Sequence, residues 1–278
     1  MRADSPVIED IHLDHVAVAV ERRSDAWARY GGDLPGRFLG GGTGTGFANY
    51  QLEYAGGMRL EVLEPARVTD NDFLRRFLDR SGPGSHHLTY KVGDIGAAAA
   101  AAEAAGYRPV GVALQDANWK ELFLHPRDIP GVVVQLAWSA VDGWRADPPG
   151  GFPARRTAPD AALERVVHAV ADLDDGLRLF AGLLDGHEAG RGDGPDGRWV
   201  ELGWPGGGTV RLVTPSSPES LLAAWIGDRP GRVHHLAFAT DEPGGVPDAV
   251  ALEGMGEPVW EVPPDRNLGV RLRLRPLP

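Results

Sequence analysis

Histidines recur at matching places in short apolar stretches of this chain. Residues 13–20 read LDHVAVAV, residues 86–92 read HHLTYKV and residues 233–239 read VHHLAFA. Imidazole nitrogens serve as metal ligands and as general acids or bases near neutral pH. The chain has no cysteine, which excludes thiolate catalysis and cysteine-ligated zinc or iron–sulfur sites. Any metal must therefore be held by histidine, carboxylate or amide groups.

The elements that carry these histidines are predicted to be strands. Apolar residues alternate with a period of two over residues 11–20, which is typical of a half-buried strand. A helix capped by Ser24 is expected next, and the glycine-rich residues 39–46 are interpreted as a flexible loop. That loop lacks the Lys-Ser/Thr ending of a phosphate-binding loop. The other predicted strands of this half are 47–54, 58–63, 88–92, 109–114, 119–124 and 132–138, and the other helices are 70–78 and 94–105.

The order of elements restarts beyond residues 139–160, a segment rich in Gly, Pro and Arg that is predicted to be a linker. The offsets are nearly constant, at 150 for Leu13 and Leu163, 150 for Pro65 and Pro215, and 148 for His87 and His235. A fixed period of this kind predicts a tandem duplication, and the half-period inside each half predicts four βαβββ modules. The predicted fold class is α+β, with an N-terminal domain over 11–138 and a C-terminal domain over 161–278.

Composition narrows the classes of partner. The formal net charge is −11 and the arginines are scattered, so neither nucleic acid nor an acidic membrane surface is expected as a partner. Residues 1–6 contain no apolar segment of signal-peptide length, and no stretch approaches the length of a transmembrane helix. We therefore expect a cytoplasmic protein.

Four segments, in this order and spacing, resemble a known family: residues 13–20, 59–65, 86–88, and 123–127 with 131–136. They are similar to the vicinal oxygen chelate superfamily of glyoxalases, bleomycin resistance proteins and dioxygenases, nearest the methylmalonyl-CoA epimerase and glyoxalase-like branch. The resemblance covers residues 12–138 well and 163–275 more weakly. It implies that the modules pair, so that each half forms a curved mixed β-sheet cup with helices outside, around a divalent metal.

By position, the resemblance implies one metal per chain, held by His15, Glu61, His87 and Gln135. Strand parity agrees, because all four point to one face while the opposite faces carry runs of Val and Leu suited to packing. Two imidazoles, a carboxylate and an amide oxygen suit Fe²⁺, Co²⁺, Ni²⁺, Zn²⁺ or Mn²⁺, with open positions for substrate oxygens. His86, which faces the other way, is interpreted as structural.

The C-terminal half has lost this donor set. Arg165, Arg211, His235 and Arg273 occupy the equivalent positions, and three arginines cannot ligate a divalent cation because guanidinium has no acceptor. We expect a structural half that completes a pseudo-dimer. The alternative is a carboxylate or phosphate site built from Arg165, Arg211 and Arg273, unless acidic side chains pair with these arginines.

Two departures from the family bear on the chemistry. Gln135 replaces the usual carboxylate, which predicts a stronger Lewis acid that is held less tightly and counts against an extradiol dioxygenase. In the epimerases a glutamate base lies on the strand that corresponds to residues 44–49, and this segment contains none. Glu121 and Glu61 are the remaining candidates for a catalytic base.

The predicted function is therefore metal-stabilised enolate or oxyanion chemistry of the isomerase, epimerase or lyase type. The substrate would be a small oxygen-rich or acyl molecule, and the protein either a monomeric pseudo-dimer or a homodimer. The alternative is a metal-free, bleomycin-resistance-like protein that binds a natural product, and a third option is a ring-cleaving dioxygenase. The binding-protein alternative would use an aromatic groove lined by Tyr50, Tyr54, Trp119, Trp199 and Trp204.

Overall fold

The computed structural model of the chain describes residues 6–141, 146–154 and 161–278. Residues 1–5 lie outside this description, and the prediction that there is no signal peptide concerned these residues. Residues 142–145 and 155–160 of the predicted linker also lie outside this description. In the three described ranges, no helix has the length and apolar character that would let it cross a membrane.

An eight-stranded mixed sheet forms the first half of the described chain, in the order β2-β3-β4-β1-β5-β8-β7-β6. Its strands are β1 (His12–Ala19), β2 (Arg37–Thr43), β3 (Gly46–Glu53), β4 (Arg59–Ala66), β5 (Gly84–Lys91), β6 (Pro109–Ala113), β7 (Trp119–Leu124) and β8 (Val133–Ser139). Strand β1 pairs in parallel with β4, and β5 pairs in parallel with β8. The first and last strands of each module are therefore neighbours.

The second half repeats this arrangement strand for strand, in the order β10-β11-β12-β9-β13-β16-β15-β14. Its strands are β9 (Ala162–Val170), β10 (His187–Gly194), β11 (Gly197–Gly203), β12 (Thr209–Thr214), β13 (Gly231–Thr240), β14 (Val250–Leu252), β15 (Val259–Val262) and β16 (Leu272–Pro276). The predicted α+β fold of four modules in two tandem halves is confirmed.

Helices are few and short. The α-helices are α1 (Phe73–Ser81), α2 (Ile95–Ala104), α3 (Leu173–Leu177) and α4 (Leu221–Ile226). The Asp94 side chain caps α2 by accepting hydrogen bonds from two backbone N–H groups, and Asp172 caps α3 in the same way. In the last module a 3₁₀ turn, Pro243–Gly245, lies where the other modules have longer helical segments.

Two edge strands are rich in glycine and were not predicted from the sequence. The predicted flexible loop over residues 39–46 is wrong, because most of it belongs to β2, which pairs with β3. A Cβ on Gly41 would lie 2.1 Å from the Asn49 carbonyl oxygen, so the close pairing requires glycine. The equally glycine-rich β10 was also missed, as were the short strands β14 and β15. The predicted Ser24 cap is also wrong. The helical segment there is the 3₁₀ turn Arg23–Ala26, whose N-cap residue is Arg22, and no side chain forms a capping hydrogen bond.

Strand parity follows the prediction. The residues predicted to face the core are fully or almost fully buried: Val16, Val18, Val20, Leu60, Val62, Leu88, Tyr90, Val92, Val134 and Leu136. On the other face of β1, Ala17 and Ala19 pack with Leu74 and Leu78 of α1. The equivalent cluster of the second half contains Val167, Ala169, Val213, Leu222 and Ile226. Helices α1 and α4 thus occupy equivalent places.

The chain divides into two compact units, and each unit takes one module from each half. Among the described residues, one unit contains 6–14, 87–141 and 165–234, and the other contains 15–86, 146–154, 161–164 and 235–278. Glycines allow backbone segments to approach closely inside each unit. A Cβ on Gly131 would lie 1.9 Å from the Gly231 carbonyl oxygen, and a Cβ on Gly269 would lie 1.8 Å from that of Pro83. The predicted domain limits, 11–138 and 161–278, remain a prediction.

We expect Gly269→Ala to lower the free energy of unfolding by more than ~3 kcal/mol, because its new methyl group would collide with the Pro83 carbonyl just before β5. Gly254→Ala is a matched control, since Gly254 has almost the same φ (76° against 75°) but nothing within 4 Å of its Cβ position. The control should lose only about 1–2 kcal/mol. Chemical denaturation measures both, and equal losses would contradict the close-approach argument.

Candidate metal centre

Three buried side chains bring metal-binding atoms together. His15, Glu61 and His87 each offer one such atom, and these atoms all lie within 4.8 Å of one another. These three residues are 2%, 7% and 6% exposed, respectively. Nε2 of His15 lies 3.4 Å from Oε2 of Glu61. Three of the four predicted ligands therefore form one cluster, and their role as ligands remains a prediction.

Strand register places the fourth predicted ligand in an equivalent position. Glu61 on β4 pairs with Ala17, two residues after His15. In the second module, Gln135 on β8 pairs with the residue two places after His87. Gln135 is 7% exposed. The two modules therefore present a histidine and a second oxygen donor in the same relation.

The Glu61 carboxylate is held by amide groups of β3. Nδ2 of Asn49 donates to Oε1 of Glu61 at 2.6 Å, and Nε2 of Gln51 donates to the same oxygen at 3.4 Å. The Asn49 Oδ1 accepts a hydrogen bond from the Gly42 backbone N–H at 2.9 Å. An N–H can only donate and a carboxylate can only accept, so both partners fix the same orientation of the Asn49 amide.

Gln135 has its own set of partners on β5 and β7. Its Oε1 accepts from the Thr89 hydroxyl at 2.6 Å, and its Nε2 donates to Oε2 of Glu121 at 2.7 Å. The Trp119 indole N–H donates to that same carboxylate oxygen at 2.8 Å, and the Lys91 ammonium lies 3.9 Å from the Trp119 ring centroid. The candidate base Glu121 is therefore hydrogen-bonded to a candidate ligand.

Sequence reasoning named Glu121 but missed three residues that hold the centre, Asn49, Thr89 and Trp119. The available signal was strand parity, which places Thr89 on the same strand face as His87. Parity could not show which polar side chains meet across strands, because that depends on pairing register.

The other members of the two histidine pairs pack against aromatic rings. His86 lies 4.7 Å from the Phe77 ring centroid and 6.0 Å from that of Phe73. Burial lowers the pKa of His86 to about 4, against the opposing effect of the Glu61 charge. His234 packs against Trp225 on α4, with 5.9 Å between the ring centroids. These contacts agree with a structural role for both residues.

Arginine–glutamate clusters occupy the equivalent face in the second half. Arg165 and Arg211 both donate to Oε2 of Glu201, at 2.8 Å and 2.7 Å respectively, and the Arg211 guanidinium stacks 4.1 Å from the Trp199 ring centroid. Burial and the neighbouring charge of Arg165 lower the pKa of Arg211, and Glu201 opposes this shift.

A second cluster of the same composition lies on β15 and β16. Arg271 and Arg273 share Glu261, at 2.6 Å and 3.5 Å. Among the described residues, the His15 cluster is the one group of three or more His, Asp or Glu side chains positioned to hold a metal. The acidic partners support the structural interpretation of Arg165, Arg211 and Arg273, and anion binding through them remains a prediction.

The aromatic residues proposed to line a binding groove do not form one surface. Tyr50, Tyr54 and Trp204 are 3%, 2% and 6% exposed and belong to the core, so the groove prediction is wrong for these three. Trp119 and Trp199 are half-buried, and each carries a cationic side chain over its ring.

We expect Glu201→Ala to cost about 1–3 kcal/mol of unfolding free energy, because Arg165 and Arg211 lose their shared acceptor and repel each other. Glu188→Ala removes an exposed partner of Arg191 and should change the unfolding free energy much less than Glu201→Ala does. Denaturant titrations at low and high ionic strength measure the unfolding free energies of both variants. Added salt should reduce the loss of stability in Glu201→Ala, because it screens the repulsion between the two arginines. Equal losses would show that the shared carboxylate does not stabilise this face.

Comparison with known proteins finds a family model that matches part of the first half. Residues 14–123 match the family model described as Glyoxalase/Bleomycin resistance protein/Dioxygenase superfamily. The chain has no significant match among curated proteins.

Several solved structures match this chain over all or part of its length. A mutant of 4-hydroxymandelate synthase from Streptomyces coelicolor is 16% identical, with a TM-score of 0.63, over 97% of this chain and 92% of that one. A hypothetical protein from Staphylococcus aureus is 12% identical, with a TM-score of 0.58, over 96% and 100% of the two chains. Methylmalonyl-CoA epimerase from Mycobacterium tuberculosis is 27% identical, with a TM-score of 0.43, over 51% and 94%. The two longer matches show that the tandem fold of this chain is consistent with the vicinal oxygen chelate fold, and residues 14–123 form a domain of the glyoxalase/bleomycin resistance/dioxygenase superfamily.

Proposed function

We propose that the chain is a metalloenzyme in which His15, Glu61, His87 and Gln135 hold one divalent transition metal. The observation that carries this proposal is the cluster of three buried donor atoms within 4.8 Å of one another. Two imidazoles with a carboxylate and an amide oxygen suit Fe²⁺, Co²⁺, Ni²⁺, Zn²⁺ or Mn²⁺.

The chemistry of the donor set fits such an ion. A buried carboxylate such as Glu61 is costly to desolvate unless a cation or hydrogen-bond donors compensate its charge. Neutral imidazoles of His15 and His87 would add donor nitrogens without adding charge. The arginines at the equivalent positions in the second half could not bind such an ion, because guanidinium groups repel cations and offer no lone pair.

When bound, the metal would supply a Lewis acid that stabilises negative charge on substrate oxygens. A substrate that exploits it needs oxygens able to reach the centre and a proton whose loss creates that charge. We therefore propose a small oxygen-rich or acyl substrate and a reaction of the isomerase, epimerase or lyase type.

Glu121 is our candidate to accept the proton. Both of its hydrogen bonds, from Trp119 and Gln135, go to Oε2, which leaves Oε1 as the oxygen for proton transfer among the described contacts. Glu61 is the other candidate, but its proposed role as a ligand competes with proton transfer. Asn49, which holds Glu61, is an amide and cannot act as a base.

A ring-cleaving or other dioxygenase is a second candidate, and one observation favours it. His15, His87 and Glu61 are two histidines and one carboxylate, the donor set of non-haem iron(II) oxygenases. Coordination by Gln135 would add a fourth protein ligand to that set. Oxygen uptake by iron-loaded protein in the presence of a catechol separates the two candidates, because the isomerase-type reaction consumes no oxygen.

We expect purified protein to contain or take up about one transition metal per chain, and His87→Ala to lose it. His235→Ala is the matched control, because His235 is the equivalent histidine of the half whose other three positions are arginine. The control should keep the metal content of the wild type. Elemental analysis after loading with each of the five candidate metals gives the stoichiometry.

Two results would contradict the proposal. One is wild-type protein that takes up none of the five metals, which would favour the metal-free binding protein. The other is His87→Ala protein that retains the metal stoichiometry of the wild type.

A further inference from the structure

The two oxygen donors of the proposed centre are each held by a side chain at an equivalent place. Asn49 pairs in register with the residue two places after Glu61, and Glu121 pairs with the residue two places after Gln135. Each therefore reaches its ligand diagonally across an antiparallel strand pair. The hydrogen bonds are 2.6 Å for Asn49 to Glu61 and 2.7 Å for Gln135 to Glu121.

The chemical types of the two pairs are exchanged. In the first module a carboxylate is the proposed ligand and an amide holds it. In the second module an amide is the proposed ligand and a carboxylate holds it. Each pair combines one donor with one acceptor, so both pairs form the same kind of hydrogen bond. The negative charge lies on the proposed ligand, Glu61, in the first module and on the residue that holds the ligand, Glu121, in the second.

We propose that Asn49 and Glu121 are positioning residues that orient the metal ligands Glu61 and Gln135. This inference rests on the proposed metal site. A glutamine can ligate only through its oxygen, so its terminal amide must be held in one of two orientations. Flipping Gln135 would put Oε1 against the Glu121 carboxylate, two acceptors with no proton between them.

The surrounding groups lock each positioning residue in turn. The Trp119 N–H holds Glu121, and the Gly42 backbone N–H holds the Asn49 amide. Thr89 donates to one lone pair of the Gln135 oxygen, which leaves the second lone pair for a metal. Such supporting partners typically change metal affinity by 10–100-fold.

The test is an exchange of the second pair, with Co²⁺ as the probe. Co²⁺ dissociation constants and visible absorption spectra are measured for wild type, Glu121→Gln, Gln135→Glu and the double variant. Glu121→Gln alone should weaken Co²⁺ binding by about 10–100-fold, because either amide can then flip. In the Gln135→Glu background the same change should strengthen binding, because it replaces two opposed carboxylates with the carboxylate–amide arrangement of Glu61 and Asn49.

Asn49→Ala tests the first pair and should also weaken Co²⁺ binding by about 10–100-fold. Glu103→Gln, an exposed residue of α2 with the same loss of charge as Glu121→Gln, should bind as wild type does. Thermal melts establish that each variant is folded, and the sign change between the two Glu121→Gln backgrounds does not depend on stability alone.

The outcomes separate the two proposals. If wild type binds no Co²⁺, the proposed metal function fails, and this inference fails with it. If wild type and the Glu103→Gln control bind Co²⁺, but Glu121→Gln has the same effect in both backgrounds and Asn49→Ala binds normally, the positioning roles are overturned while the metal site stands.

Discussion

Parallel pairing between the first and last strands of a module is the constraint on which the proposed centre depends. It sets Glu61 beside β1 at a fixed distance from His15, and Gln135 beside β5 in the same relation to His87. Buried valine and leucine side chains on the opposite faces fix this register, because a shift of one residue would turn them out of the core and the histidines into it. Packing energy therefore holds the polar geometry in place.

Duplication has given the chain two such scaffolds with different chemistry. The first sheet presents histidine, glutamate and glutamine at the four positions, and the second presents arginines that pair with Glu201 and Glu261. The strand order is the same in both, so the different chemistry at the four positions comes from the side chains. This agrees with the general rule that function is carried by sites placed on a fold.

Much of this architecture was predictable from sequence, because strand alternation and constant offsets are local or periodic signals. Alternation around His15 and His87 gave the correct faces, and the offsets near 150 gave the tandem halves. Strands β2 and β10 were missed because their glycines carry no strand preference. Gly41 of β2 is nevertheless required for the close pairing with β3. The contacts of Asn49, Thr89 and Trp119 depend on pairing register between strands, which no single stretch of sequence contains. The same is true of the close approach between Gly269 and Pro83.

We propose that one metal binds at the His15, Glu61 and His87 cluster, with Gln135 as the fourth ligand. Anomalous diffraction from crystals grown with Co²⁺ tests it most directly. We expect a single strong peak within bonding distance of nitrogen atoms from both histidines, a Glu61 oxygen and Oε1 of Gln135, and no peak beside Arg165 or Arg211. A peak elsewhere, or Glu61 still paired with His15 and no cobalt at the cluster, would contradict it.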